Sequence, residues 1–458
     1  MAEEIVQQET ETKPIYTGSR GVAIKLLNRI ERSDAYMDKL LDMELKTDEL
    51  SNVDKNLLAE LVHGVMRWQG RLDYLLNSFT HGNFSKTEVN LKNTLRIALY
   101  QLMFLTRMPH YAAVNEAVEF IKRLRGDKTA NFVNAVLRNI IRNMNDIQYP
   151  NKNDHAVHYL SVYYSHPQWM VKRWKARFDF AEMEKFLSAN NEIPPLTLCI
   201  NKLKTTPSEF LAMLDKEEIP YEGSQFIDFF IRVKTLTGIA QMDIFRQGYF
   251  SIQDESQALP VLLLNPQPGE RMIDMCAAPG GKTMLSAQLM KNSGEILAVD
   301  KFDHKLSLLK NAADRLGITN ITLLTADASQ LETEPAMKVL LDAPCSGFGT
   351  LRKKPDIKWK REIEDIIALA KLQEQLLERA ATLVLPGGIL VYSTCTTEPE
   401  ENELLIKKFL ERHQEFKLDD ASKFVNKNLV NPDGFVMTYP HRHHIDGGFA
   451  ARLIKQQQ

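Results

Sequence analysis

Apolar residues recur at helical spacing through the first third of the chain. Leu57, Leu61, Val65 and Trp68 make one stripe, Val114, Ala117, Val118 and Ile121 a second, and Val133, Val136, Leu137, Ile140 and Ile141 a third. Ser51 with Asp54 has the pattern of a helix N-cap ahead of the first stripe. Residues 18–147 therefore read as an all-helical domain, and the polar stretch 143–154 ends it. Between 155 and 250 the signals mix. Residues 195–201 alternate like a strand, 207–214 read as a short helix and 229–233 as another strand, which predicts a small α+β subdomain.

From about Ser251 the pattern changes to short continuous apolar runs, at 272–276, 295–300, 321–327, 338–342 and 388–394, separated by helical stretches. Such runs predict a parallel α/β sheet covered on both faces, with ligands bound beyond the carboxyl ends of its strands. The chain is thus expected to be multidomain: an acidic tail (1–17), a helical domain (18–147), a linker with the small α+β subdomain (148–250), and a C-terminal α/β domain (251–458).

Three phrases in the helical part are more specific than periodicity. L-R-I-A-L-Y-Q-L (95–102), V-N-E-A-V-E (114–119) and F-V-N-A-V-L-R (132–138) resemble the all-helical NusB family of RNA-binding antitermination factors. The resemblance implies RNA affinity for this domain, and for the small subdomain beside it.

Composition narrows the class. Of 458 residues 44% are apolar and 25% charged, ample for real cores, and the net charge is −2. That charge is uneven: Lys86 to Arg142 holds ten Lys/Arg against four Asp/Glu. This marks either a phosphate-facing surface or a solvated helix face. No apolar run has the length of a membrane helix, and the acidic, polar start is neither a signal nor a transit peptide. Four cysteines, at 199, 276, 345 and 395, are too sparse for a disulfide framework and point to a reducing, cytoplasmic setting. Cys199 sits in a strand, where a buried structural role is expected.

The chemistry gathers at the strand ends of the α/β domain. The first ends in D-M-C-A-A-P-G-G-K-T (274–283) and runs into a helix. Gly280 and Gly281 allow close backbone approach to a ligand, and the helix N-terminus favours a carboxylate. Asp300, closing the next strand 20 residues after Gly280, suits a ribose diol, and Asp327, closing the third, suits an adenine amino group. Cys276 stands where a P-loop would need glycine, which disfavours a nucleoside triphosphate.

The fourth strand ends in D-A-P-C-S-G-F-G-T (342–350) and the fifth in S-T-C-T (393–396). Neighbouring strands would bring Cys345 and Cys395 to one edge, beside the cofactor. Such a pair suits methylation of a pyrimidine carbon. Carbon 5 of cytosine is a poor nucleophile. A thiolate added at carbon 6 makes it an enamine that can attack a methyl sulfonium, and a base must then take the carbon 5 proton. Asp342 is placed to stabilise charge at ring nitrogen 3. On position alone, either thiol could attack.

These three motifs resemble the signatures of the RNA 5-methylcytosine methyltransferases, the family containing the NOL1/NOP2/Sun proteins. The NusB-like N-terminal part points within it to the bacterial branch acting on 16S ribosomal RNA. The resemblance covers nearly the whole chain without a departure at the motif positions. It implies a Rossmann-like S-adenosylmethionine methyltransferase domain. It implies Cys395 as nucleophile, Cys345 in product release and Asp342 in orienting and stabilising the base. Cys276, Ala277, Ala278, Pro279, Gly280, Gly281, Lys282, Asp300, Asp327 and Asp342 would line S-adenosylmethionine. The implied partner is 16S ribosomal RNA, naked or in an early small-subunit particle, and the protein is expected to act as a monomer. Methylation of transfer RNA, or a non-catalytic ribosome-assembly role on the same fold, are the competing readings.

Two further stretches carry charge. Loop 352–361 has six basic residues in ten around Trp359, and is expected to hold single-stranded RNA through Arg352, Lys353, Lys354 and Trp359. H-R-H-H (441–444) lacks metal-ligand spacing and reads as a turn between the last two strands, so no metal is expected.

Overall fold

The apolar stripes of the first third lie on packed helices. The structure is a computed structural model that describes residues 15–457, except 34, 48, 81–83, 235 and 237. Most of the acidic tail thus lies outside the described residues. The chain forms two compact units: one runs to residue 191 and also takes in 354–360, and the other comprises 192–353 and 361–457.

In the first unit, Ser51 caps helix Asn52–Phe79 by accepting from the Asp54 amide at 3.2 Å, as its sequence suggested. Leu61 and Val65 of that helix are buried with Ile121 of His110–Arg125 and with Val133, Leu137 and Ile140 of Asp127–Arg142. Helices Gly18–Arg32 and Val89–Phe104 complete this core. Gly64 lets Val89–Phe104 approach, because a Cβ there would fall 2.0 Å from the Tyr100 ring. Two of the ten cations between 86 and 142 are internal. Lys92 is buried on Glu31, and Arg96 forks onto Asp73 and Glu31 at 2.7 and 2.9 Å. Three short helices, Ala156–Tyr163, Gln168–Lys175 and Phe180–Ala189, extend the unit, because Trp174, Phe186 and Leu187 bury their side chains there.

The second unit contains two sheets. The smaller joins β1 (Leu196–Ile200), β2 (Tyr221–Gly223), β3 (Phe230–Val233) and β4 (Phe250–Ile252) antiparallel in the order β2-β3-β1-β4. Helix Pro207–Lys216 follows β1 and opens with a capping box, Thr206 with Glu209. The larger sheet holds β5 (Arg271–Asp274), β6 (Glu295–Asp300), β7 (Ile321–Thr325), β8 (Ala336–Asp342), β9 (Val384–Thr394), β10 (Phe416–Asp419), β11 (Val436–Thr438) and β12 (Gly448–Lys455). Its order is β10-β12-β9-β8-β5-β6-β7, with β11 beside β12. Strands β5 to β9 pair in parallel, whereas β10, β11 and β12 add an antiparallel edge. Strand order reverses at β5, between β6 and β8, and this is where an open α/β sheet forms its ligand crevice.

Candidate active site

Strands β8 and β9 are neighbours, with Asp342 in register with Ser393. The chain leaves both strands at the same edge, so the two following loops meet. Their sulfurs lie 3.2 Å apart, Cys345 Sγ to Cys395 Sγ, and the Cys395 amide approaches Cys345 Sγ at 3.3 Å. The adjoining Cys395 sulfur, together with burial, holds the Cys345 thiol well above the usual range. Between the two sulfurs either thiol can be the donor, and the shift disfavours the thiolate at Cys345. Cys199 is elsewhere, inside β1, and burial pushes its thiol up to about 12, in keeping with an inert core residue.

Backbone packing fixes the second thiol loop. The Gly349 amide donates to the Cys395 carbonyl at 3.0 Å, and the Gly447 amide donates to the Gly349 carbonyl at 2.9 Å. A Cβ on Gly349 would fall 1.9 Å from the Gly447 oxygen, so only glycine permits this approach.

Asp342 is gripped from both sides. Lys282 Nζ donates to Oδ2 at 2.6 Å and Ser393 Oγ to Oδ1 at 2.8 Å, while Gln257 accepts from the same ammonium at 3.1 Å. Gln257, Lys282, Asp342 and Cys395 line one small cleft, closed on its far side by Gly448 and Phe449 of β12. The antiparallel edge thus contributes a wall that the apolar runs did not forecast.

The residues predicted for the cofactor surround the reversal point. Cys276 to Gly280 form the turn out of β5, and Gly280 takes φ +110° at the start of helix Gly281–Leu289. Cys276 is raised out of the ordinary thiol range, first by burial and then by nearby carboxylates including Asp274 and Asp342. That shift disfavours the thiolate at Cys276. Asp300 ends β6, nearly buried, and accepts from the Phe302 amide at 2.9 Å. Asp327 follows β7, and Ser329 and Lys301 draw its carboxyl down to about 2.

Two acids were missed. Asp274 is fully buried and bonded by Thr283 Oγ1 at 2.7 Å, and desolvation raises it to about 7. Its place at the end of β5, inside the D-M-C motif, was a signal available in the sequence. Glu401 is buried between the two thiol loops, accepting from the Ser346 amide at 2.8 Å and from Gln373 Nε2 at 2.9 Å.

The basic loop falls elsewhere. Arg352 is buried against Asp446 at 3.0 Å, and Lys353 bridges Asp254 and Asp446 at 2.5 and 2.8 Å. Lys358, within the helical unit, donates to the carbonyls of Arg67 and Ser165 at 2.8 and 2.9 Å, and Trp359 Nε1 donates to the Met66 carbonyl at 2.6 Å. These groups are committed to internal partners, so the expected solvated, phosphate-facing loop reduces to Lys354, which is exposed. His443 accepts from the Tyr439 amide at 2.9 Å and faces the Asn428 carbonyl at 3.1 Å, in the short helix between β11 and β12. Among the described residues no cluster of three metal-ligating side chains occurs, and no helix is long and apolar enough to cross a membrane.

Comparison with known proteins agrees with this layout. Residues 261–454 match the model of the 16S rRNA methyltransferase RsmB/F family, residues 17–142 the NusB family, and residues 166–239 the ferredoxin-like domain of RsmF/B-like methyltransferases. A probable ribosomal RNA small subunit methyltransferase B from Bacillus subtilis is 38% identical over 96% of this chain and 99% of its own length. A ribosomal RNA small subunit methyltransferase B from Yersinia pseudotuberculosis is 32% identical over 95% of this chain and 98% of its own. The crystal structure of PH0851 superposes with a TM-score of 0.78 at 28% identity, over 95% of this chain and 99% of that one. With its NusB-type helices, its small antiparallel sheet and its paired thiols at the strand ends, the chain belongs to the RsmB/F family of 16S rRNA methyltransferases.

Proposed function

We propose that this protein transfers a methyl group from S-adenosylmethionine to carbon 5 of a cytosine in 16S ribosomal RNA, through a covalent bond between Cys395 and carbon 6 of that base. The observation that carries the reading is the 3.2 Å approach of Cys345 to Cys395, which lines one cleft with Asp342. Relatives named as small-subunit ribosomal RNA methyltransferases support the substrate and a cytoplasmic setting.

The donor set suits the cofactor. Asp300 offers a carboxylate to ribose hydroxyls, Asp327 an acceptor at the adenine end, and the amides opening helix Gly281–Leu289 a seat for a carboxylate. Cys276 to Lys282 make the floor between them. When bound there, S-adenosylmethionine supplies an electrophilic methyl group.

The protein's own residues divide the remaining work. Cys395 adds to carbon 6 as the thiolate, and the Cys345 thiol 3.2 Å away, held above the usual range, is the neighbour that can stabilise it by hydrogen bonding. Asp342, held by Lys282 and Ser393, faces ring nitrogen 3 and orients the base. After carbon 5 has gained its methyl group, water takes the carbon 5 proton, the ring double bond re-forms, and Cys395 leaves as a thiolate with the Cys345 thiol as its nearest proton donor. RNA backbone contact is assigned to the exposed cations of the helical unit, Arg107, Arg138 and Arg142 among them, with Lys354.

The test is a pair of variants. Cys345→Ala should accumulate a protein–RNA adduct that survives denaturing electrophoresis and requires S-adenosylmethionine, whereas Cys395→Ala should form none and be inactive. An adduct in Cys395→Ala alone would reverse the two roles. Activity in Cys395→Ala with no adduct in either variant would end the covalent mechanism.

A further inference from the structure

We infer that Glu401 is a positioning residue that holds the two thiols at reacting distance through Ser346 and Thr396. The inference builds on the two-thiol reading above and concerns how the pair is kept together.

Glu401 has no solvent exposure, and its carboxylate collects donors from the Cys345 loop and from Gln373, with the Cys395 loop joined through Ser346. From the Cys345 side come the Ser346 amide at 2.8 Å and the Ser346 hydroxyl at 2.5 Å. Gln373 Nε2 donates to the same carboxylate at 2.9 Å and also to the Pro344 carbonyl at 2.9 Å, so the residues on both sides of Cys345 are tied to one point. From the Cys395 side, Thr396 Oγ1 meets Ser346 Oγ at 2.7 Å. Because the Ser346 proton goes to the carboxylate, the Thr396 hydroxyl must be the donor in that contact. A chain of direction follows, Thr396 to Ser346 to Glu401, and it crosses from one loop to the other.

The adjoining residue braces the other flank of Cys395. Asn402 accepts from Thr394 Oγ1 at 2.6 Å and donates to the Thr396 carbonyl at 3.0 Å, which spans the cysteine. Tyr392 OH donates to the Glu401 carbonyl at 2.7 Å and fixes this backbone to β9. A buried carboxylate is costly unless fully hydrogen-bonded, and here Ser346 lies on a thiol loop and Gln373 is bonded to one. Glu401 acts through Ser346 and Thr396.

Disulfide trapping measures the thiol separation without RNA or cofactor. Diamide takes two electrons and two protons from a pair of thiols and leaves a disulfide, so its rate in the full-length protein reports how often Cys345 and Cys395 meet. The wild type should close this bond rapidly. Glu401→Gln keeps the shape but turns an acceptor into a donor facing the Ser346 hydroxyl, and should slow trapping by about tenfold or more. Its kcat should fall by a similar factor with KM for RNA unchanged. Ser346→Ala, which leaves Glu401 its amide and Gln373 donors, should show the same split in milder form and serves if Glu401→Gln does not fold. Wild-type trapping rates in a folded variant, or a loss confined to KM, would overturn the inference. Slowed trapping alongside an active Cys395→Ala and no adduct in either variant would leave the clamp standing and remove only the covalent mechanism.

Discussion

Arg352 and Asp446 form an ion pair in which each side chain is 3% exposed. Asp254 and Lys353 join it, so two cations and two carboxylates neutralise one another inside the catalytic unit. Removing one member strands buried charge. Arg352→Ala should cost ~3 kcal/mol of stability, read as a lowered denaturation midpoint. The salt dependence of RNA binding by the folded fraction should be unchanged, and a flatter slope would return Arg352 to the RNA interface.

The exposed cations of the helical unit make the opposite prediction. Arg138 and Arg142 border a groove with Tyr111 and Asn115 and no carboxylate among its lining residues. Neutralising both as Arg138→Gln and Arg142→Gln should weaken RNA binding and lower the log–log salt slope by roughly one to two, with the melting temperature unchanged. An unchanged slope would remove this face from the RNA path.

Asp300→Asn should weaken S-adenosylmethionine binding by ~1–3 kcal/mol, since ribose hydroxyls lose a charged acceptor. Titration calorimetry on the protein without RNA reads this directly. Equal affinity in variant and wild type would move the ribose elsewhere.

Asp274 predicts a pH signature. Its carboxyl is raised to about 7 by burial, against an ordinary value of 3.8. The folded state therefore holds this proton more tightly than the unfolded chain, and the group's contribution favours folding at low pH. That contribution declines as pH rises from about 4 through about 7. Asp274→Asn carries no such charge and keeps an acceptor for Thr283. Its denaturation midpoint relative to wild type should improve between pH 5 and pH 8 in the absence of cofactor. A constant difference would mean that Asp274 stays ionised in the fold.

Gly349→Ala tests the backbone contact behind Cys395. The added methyl would sit 1.9 Å from the Gly447 oxygen and 2.9 Å from the Cys395 oxygen, both backbone atoms that yield only by moving the loops. A cost of about 1–3 kcal/mol and a marked loss of kcat are expected. A fully active, equally stable variant would show that the loops tolerate the shift.

What could be read in advance followed chain continuity. Cys345 and Cys395 each follow a strand within a contiguous motif, so their meeting needed only the inference that β8 and β9 are neighbours, which the register bears out. Glu401 was invisible because its partners Gln373 and Ser346 are 28 and 55 residues away. The basic loop misled for the same reason. Arg352 and Lys353 find their carboxylates 94 and 99 residues off, and charge counting along the chain cannot distinguish a paired cation from a solvated one. The antiparallel edge was read only in part: the turn expected at 441–444 does lie between β11 and β12, whereas the four-residue β10 lacks the continuous apolar run that marked β6 or β9.

Lys358 has a consequence for how the chain matures on the ribosome. Its amino group satisfies carbonyls of Arg67 and Ser165 and the Asn191 side chain, yet it is made long after all three. A nascent chain that has emerged only to residue 191 holds the described helices of the first unit other than the short turn Ile357–Lys360, and lacks the Lys358 donor for those acceptors. The first unit can collapse early but reaches its final stability only once residues 354–360 have been synthesised. A fragment ending at 191 should accordingly melt below the same unit in the full chain, and a separate peptide spanning 354–360 should raise its midpoint.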